Sequence, residues 1–352
     1  MSVYINGTGI ISPQRTHDKS VLQNKLVTFN GNRWQCDEPD YSQFIDGKQI
    51  RRMSRIIRMG IVSSLLASRE SAVEKPEAII VGTAFGCLED TYSFLSKLVQ
   101  YKEDMLSPTA FIHSTHNTIA AQIALLFQSR GYNSTYVHRA LSFESALNDA
   151  LMLIEEGSVE NVLVGGIDEI TDTGFNIMNR MGFYKAADAI QENNFYSNSG
   201  KGSAAGEGSA FFSLSVNQSS TSYAKIVAVE TLSFMSTEDA IARAISMLET
   251  NGIQKPDLLI TGHNGDHSND TLNDKFAGML NCDDRKLKYK QWCGEYATAT
   301  AFATWMSAEI LKGKTIPDCF QGIVNSETPV KNIMIYNQQD ALHHSLILLQ
   351  SC

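Results

Sequence analysis

Two segments of this chain have helical spacing yet are apolar on more than one face: residues 142–155 (SFESALNDALMLIE) and 296–311 (YATATAFATWMSAEIL). A surface helix needs only one apolar stripe, so these two belong between apolar layers. Around the first, a β-rich run at 135–139 turns at Ala140 into the helix. Gly157 supplies a left-handed stop, and a strand at 161–164 is closed by Gly165-Gly166. A helix enclosed on both sides between strands restricts the chain to layered α/β architectures.

The same alternation runs through the rest of the chain. Strand patterns occupy 3–11, 77–83, 206–216, 223–234 and 257–265, and helical periodicity marks 54–69, 117–127 and 236–251. The last of these helices opens with Ser236-Thr237-Glu238-Asp239, which has the form of a capping box. Residues 332–337 and 345–350 read as a closing hairpin. Two cycles of similar order meet at a polar link, NQSSTS (217–222), which predicts pseudo-duplicated halves at 1–217 and 218–352.

Composition narrows the function classes. With 352 residues, 43% of them hydrophobic, the chain can bury a large core. It contains no 18-residue apolar run, so no membrane span is expected. The opening MSVYINGTGIIS has neither a basic segment nor a cleavage site, which points to a cytoplasmic protein. The six cysteines are scattered without metal spacing, so reduced thiols and no metal are expected. A formal net charge of −9 with no basic run argues against nucleic acid as a partner. No cofactor motif stands out.

The turn at Ala140 carries the functional information. A strand that turns sharply into a helix presents its first residue at the positive helix end, where enzymes place a Cys or Ser nucleophile. Alanine has no reactive atom. Ala146 and Ala150 follow Ala140, then Gly157, then Gly165-Gly166. This spacing resembles that of the β-ketoacyl synthases of the thiolase superfamily, in which a catalytic Cys stands at the position of Ala140. The resemblance implies a thiolase-like five-layer αβαβα fold, with Ala140 as the vacated Cys position.

Other positions follow from the same resemblance. Ketosynthases place a first histidine in a strand-end loop with an acid downstream. Here TGHNGDHSND (261–270) offers His263 with Asp270, or in a shifted register Gly262 at the histidine position. The second histidine belongs to a Lys-x-x-x-Gly-His stretch. In KQWCGEYATA (290–299), Lys290 and Gly294 match and Glu295 replaces the histidine. An ionised carboxylate cannot donate the hydrogen bond that an imidazole gives to a developing oxyanion. Burial could keep Glu295 protonated, and an ion pair with Lys290 is the alternative. The family's C-terminal glycine-rich loop becomes NQQDALHHSLILL (337–349), which keeps Asn337 and loses the glycines, and with them ready access to positive φ. Gly202 and Gly206-Glu207-Gly208 match a family strand entry.

Three functional elements are thus replaced together while the packing signature persists. The resemblance implies a non-condensing partner of an active ketosynthase, of the chain length factor type, acting on chains held by an acyl carrier protein. The short length and replaced residues resemble accessory subunits of aryl polyene and flexirubin-type systems. By the same resemblance, 133–139 with Tyr136 and His138 forms the dimer interface. Residues 111–117, with Phe111, Ile112, His113, Thr115, His116 and Asn117, reach a partner's acyl tunnel; helix capping by Thr115 or Asn117 is the plainer reading of that stretch. The alternative is altered chemistry on the same fold, a malonyl-thioester decarboxylase or acyltransferase drawing on His263, Ser142, His138, Cys293 or Cys87. A third reading is a homodimer that holds acyl chains without reacting.

Overall fold

The computed structural model describes residues 2–19, 22, 26–104, 106–191, 194–197, 200–313, 315–320 and 329–352. Strands β1 (Val3–Ile11), β2 (Ala78–Gly82), β3 (Tyr132–Tyr136), β4 (Asn161–Asp168) and β5 (Gly208–Ser215) come first. Strands β6 (Ala224–Ser233), β7 (Leu258–Thr261), β8 (Lys286–Lys288), β9 (Asn332–Gln339) and β10 (His343–Gln350) follow. They form one hydrogen-bonded sheet in the order β3-β2-β4-β5-β1-β6-β10-β9-β7-β8. Outward from the β1–β6 seam, each arm meets its first, fifth, fourth, second and third strand in turn. The directions repeat as well: β2 is parallel to β3 and β4, and β7 is parallel to β8 and β9. The seam is a short antiparallel pairing of Val3–Ile5 with Ala224–Ile226.

Side-chain alternation divides this sheet into layers. In β2, Ala78 and Ile80 face the central core while Ile79 and Val81 face an outer one. In β9, Ile333 and Ile335 face the centre, and Met334 and Tyr336 the opposite outer layer. Among the helices of the first half are α1 (Gly47–Ile50), α2 (Arg55–Ser71), α3 (Leu88–Gln100), α4 (Pro108–His113), α5 (Thr118–Leu126), α6 (Ser142–Glu155) and α7 (Asp172–Arg180). Those of the second half include α8 (Thr237–Thr250), α9 (His267–Met279), α10 (Lys290–Cys293) and α11 (Thr300–Gly313). α2 and α5 cover one outer face, α8 and α9 the other, and α6 and α11 fill the middle against both arms. The result is the five-layer αβαβα stack, with α6 and α11, the two helices apolar on more than one face, in its middle layer.

Several local expectations need correction. The β-run before the turn is Tyr132–Tyr136, and Arg139 already lies in a 3-10 turn. β4 continues through Gly165-Gly166 instead of closing there. Its glycines serve close packing: a Cβ on Gly165 would sit 2.5 Å from the Phe211 ring, and one on Gly166 would meet Phe143 and Ala301 of the central helices near 3 Å. The hairpin turn at Asp340-Ala341 has no glycine, yet both residues take left-handed conformations (φ 55° and 57°). Long flanking strands in continuous register impose that turn. No helix among the described residues is long and apolar enough to cross a membrane.

Candidate functional site

The elbow is built by backbone strain and a serine staple. β3 ends at Tyr136, and Arg139 takes φ +47°, a costly conformation for a side chain of its size. Ser142 opens α6, and its Oγ accepts from the His138 N–H (2.8 Å) and donates to the Arg139 carbonyl (2.7 Å). That hydroxyl is committed to shaping the turn. Ala140 is buried at the turn, and its methyl group stands where a nucleophile is expected.

The second half brings its residues in through two loops. Gly206 and Gly294 pack backbone to backbone, where a Cβ on Gly206 would lie 2.0 Å from the Cys293 carbonyl oxygen. The Gly206 N–H donates to the Glu295 carbonyl (3.0 Å), and the Glu295 N–H donates to the Ala204 carbonyl (2.8 Å). Glu207, fully buried, anchors this strand entry by accepting from Arg55 and from the N–H groups of Cys36 and Ile170. Glu295 is thereby held against Lys290, whose Nζ, on a side chain only 1% exposed, reaches both carboxylate oxygens at 3.0 and 2.8 Å. Of the two readings open for Glu295, the structure has the ion pair. Asn264 Nδ2 donates to the same carboxylate at 2.7 Å.

His263 does not face this group. Its ring is fully buried between Thr261 Oγ1 (2.7 Å from Nδ1) and Asp274 Oδ1 (3.1 Å from Nε2). Burial, with the Lys288 charge adding, pushes its pKa down to about 4, so the imidazole is neutral. A carboxylate can only accept, so Nε2 carries the proton and Nδ1 accepts from Thr261. Both nitrogens are engaged. Asp270, the acid downstream of His263, accepts from the N–H groups of Asn264 (2.9 Å) and Gly265 (3.3 Å). It is Asn264, one residue on, that reaches the Lys290–Glu295 pair. The other register is closed to a side chain, because a Cβ on Gly262 would lie 2.1 Å from Asn337 Oδ1.

One site residue escaped the sequence reading. Glu144, in the first turn of α6, is completely buried. Thr300, Ser345 and Lys290 flank its carboxyl, and burial pushes its pKa up to about 7. The sequence signal was present, as an acid in the first turn of the helix that follows Ala140, but its neighbours come from strands and helices more than 140 residues away.

The cysteines weighed for chemistry are poorly placed for it. Cys293 and Cys87 are buried, and burial raises both thiols above their ordinary pKa, so neither is a ready thiolate. His138 is exposed, with its ring edge-on to His343 at 5.8 Å. Tyr136 packs half-buried on the central core. Among the described residues no three His, Cys, Asp or Glu side chains are gathered for a metal.

In the stretch 111–117, Phe111, Ile112 and His113 end helix α4. Phe111 and Ile112 are 56% and 58% exposed. Asn117 precedes α5 without a side-chain cap bond, while Thr115 Oγ1 bonds the Ile112 carbonyl and pairs with Thr118 Oγ1. His116 is exposed and packs against Gly86.

Comparison with known proteins fits this picture. Residues 29–193 match the family described as β-ketoacyl synthase, N-terminal domain. No curated protein matches. The whole chain superposes on the ishigamide ketosynthase/chain length factor with a TM-score of 0.81 at 16% identity, covering 100% of this chain and 99% of that one. A β-ketoacyl synthase from Burkholderia phymatum STM815 gives 0.81 at 14% identity, covering 100% and 99%. A ketosynthase in complex with its chain length factor from Xenorhabdus doucetiae gives 0.76 at 16%, covering 100% and 98%. At such identities the likeness shows the fold.

Proposed function

We propose that this chain, a member of the thiolase-fold β-ketoacyl synthase and chain length factor family, is a non-condensing subunit that pairs with an active ketosynthase. The observation that carries this reading is Ala140: the elbow retains its turn, burial and helix, and lacks only the atom that would take an acyl group. The Lys290–Glu295–Asn264 chain supports it, because the carboxylate that replaces the second histidine is an acceptor held by two donors.

The surface supports a partner of the same kind. Among the described residues β3 pairs only with β2 and ends the sheet, leaving an open edge. In the crossover that leads to β3, α3 has no buried residue, and Tyr92, Leu95 and Val99 join Phe111 and Ile112 as exposed apolar side chains. Phe94 and Phe111 pack together at 5.6 Å, tying α3 to α4. A ridge of this kind marks an interaction surface. In our reading it meets the ketosynthase, and Phe111 and Ile112 bound the acyl chain growing on a carrier protein. One solved relative is a ketosynthase in complex with its chain length factor, and another an acyl carrier protein in complex with its ketosynthase.

The altered-chemistry alternative loses support at the residues weighed for it: His263 is bonded at both nitrogens, Ser142 shapes the elbow, and Cys293 is a buried thiol. Coexpression with a ketosynthase from the same genome, tagging only this chain, tests the proposal. We expect a one-to-one heterodimer whose condensation is lost when the partner's nucleophilic Cys is replaced. A homodimer that extends acyl thioesters unaided would overturn it.

A further inference from the structure

No residue of α3 or α4 is buried, so the core does little to set the direction in which they leave the sheet. Their base is held instead by polar contacts from the end of β4. Asp168, the last residue of that strand, is buried. Its Oδ1 accepts from the Thr83 hydroxyl (3.1 Å) and the Ala84 N–H (2.8 Å). Its Oδ2 accepts from the Thr298 hydroxyl (2.9 Å) and the Thr298 N–H (3.2 Å). One residue on, Glu169 Oε1 accepts, more loosely, from the Glu89 N–H in the first turn of α3 (3.4 Å).

The two sides of the Asp168 carboxylate belong to different halves. Thr83 and Ala84 begin the loop into α3. The Thr83 N–H donates to the Tyr136 carbonyl at the end of β3 (3.0 Å), and its Oγ1 accepts from the Gly86 N–H (3.0 Å). Gly86, at φ +59°, packs against His116 between α4 and α5, where a Cβ would lie 2.9 Å from the His116 Cα. Thr91 Oγ1 donates to the Ser114 carbonyl (2.9 Å), which fastens α3 to the end of α4. On the other side, Thr298 stands between Glu295 and α11, and its carbonyl accepts from the Ala301 N–H in the first turn of that helix (3.0 Å). Burial pushes the Asp168 carboxyl up to about 6 while its donors act against burial, so at neutral pH it is an ionised acceptor for both sides.

We propose that Asp168 is a positioning residue for the α3–α4 ridge: it clasps the base of α3 to the leading end of α11, so that a contact from the second half sets how the first half presents the ridge to its partner. This rests on the reading of the ridge as the surface that meets a ketosynthase. It adds a residue that touches no partner and acts through the loop 83–86. The clasp also joins the ridge to the stretch that carries Glu295, three residues before Thr298. A local contact of this kind governs local opening, which is separable from unfolding of the whole chain.

The test measures amide hydrogen exchange by mass spectrometry in the full chain, alone, and then ketosynthase affinity by isothermal titration. Asp168→Asn should accelerate exchange over 84–100 at least about ten-fold and leave the other crossover, 262–285, within about two-fold. Thr298→Val removes one donor from the second half, far from the ridge in sequence. It should accelerate exchange over 84–100 at least about three-fold and weaken ketosynthase binding at least about five-fold. Thr298→Ser keeps the hydroxyl and should leave both within about two-fold of the wild type. If Asp168→Asn does not fold, the Thr298 pair decides. Exchange that rises equally in both crossovers, or stays unchanged over 84–100, would overturn the proposal, as would undiminished binding by Thr298→Val. A wild-type chain that binds no ketosynthase would defeat the functional reading instead, and the exchange rates would still decide whether Asp168 holds the ridge.

Discussion

The two crossovers that link the inner to the outer strands of each arm can be compared directly. In the second half, residues 262–285 connect β7 to β8 through the single helix α9, which buries Asn273, Phe276 and Ala277. In the first half, residues 83–131 connect β2 to β3 through α3, α4 and α5. Here α5 does the covering, burying Thr118, Ile119, Ala120 and Ile123, while α3 and α4 bury nothing. Both halves solve the same packing problem with one helix. The first half carries two more helices that its own core does not use, and apolar side chains of both are exposed. An apolar helix face calls for a cover without saying whether that cover comes from the same chain.

The contrast makes the largest expected effect fall in α9. Phe276 stacks on Tyr336 with ring centroids 3.6 Å apart. Phe276→Ala should therefore cost about 3–5 kcal/mol, read as a lowered urea midpoint. Leu95→Glu combined with Phe111→Glu on the ridge should leave that midpoint within about 0.5 kcal/mol. It should weaken ketosynthase binding at least about 100-fold, about 2.7 kcal/mol, by isothermal titration. A ridge variant that unfolds the chain and spares binding would reverse the comparison.

The third effect concerns the region common to both halves. Glu144 has a folded-state pKa of about 7 against an ordinary value of 4.5. As pH rises past the ordinary value, the unfolded chain releases a proton that the folded chain keeps, so stability falls until the folded group also ionises. The loss between about pH 4.5 and 7 should be roughly 2–3 kcal/mol at this buried site, and Glu144→Gln should flatten that part of the urea profile. The smallest effect sharpens the comparison at helix ends. Ser236→Ala removes the α8 capping box, in which the Ser236 side chain accepts from the Asp239 N–H, and should cost about 1 kcal/mol. Ser107→Ala before α4 removes a residue that makes no cap bond, and should change thermal stability by less than about 0.5 kcal/mol.

Much of the fold was legible along the chain because it rests on local periodicity. β1 at 3–11, α6 at 142–155 and the left-handed Gly157 stand where pattern and stop signals put them. The site was legible only in part. The Lys290–Glu295 pair lies five residues apart and was one of the readings in view. The partners of the His263 ring were not legible, because ring direction is set by what packs around the loop: Thr261 and Asp274 of α9, itself paired with Lys286 of β8, engage its two nitrogens. The Asp340-Ala341 turn shows the same limit: its left-handed backbone is imposed by strand register, without a glycine to announce it.

What the sequence determined by itself is chemical identity and local pattern. Ala140 has no nucleophile in any fold, and helices apolar on more than one face call for packing on more than one side wherever they are placed. Only the tertiary structure decided which groups share the enclosed space. Bringing Glu144 beside Lys290, Thr300 and Ser345 joins segments some 150 to 200 residues apart. Such contacts depend on strand order and helix packing, which place distant side chains together through a geometry that no short window of residues contains.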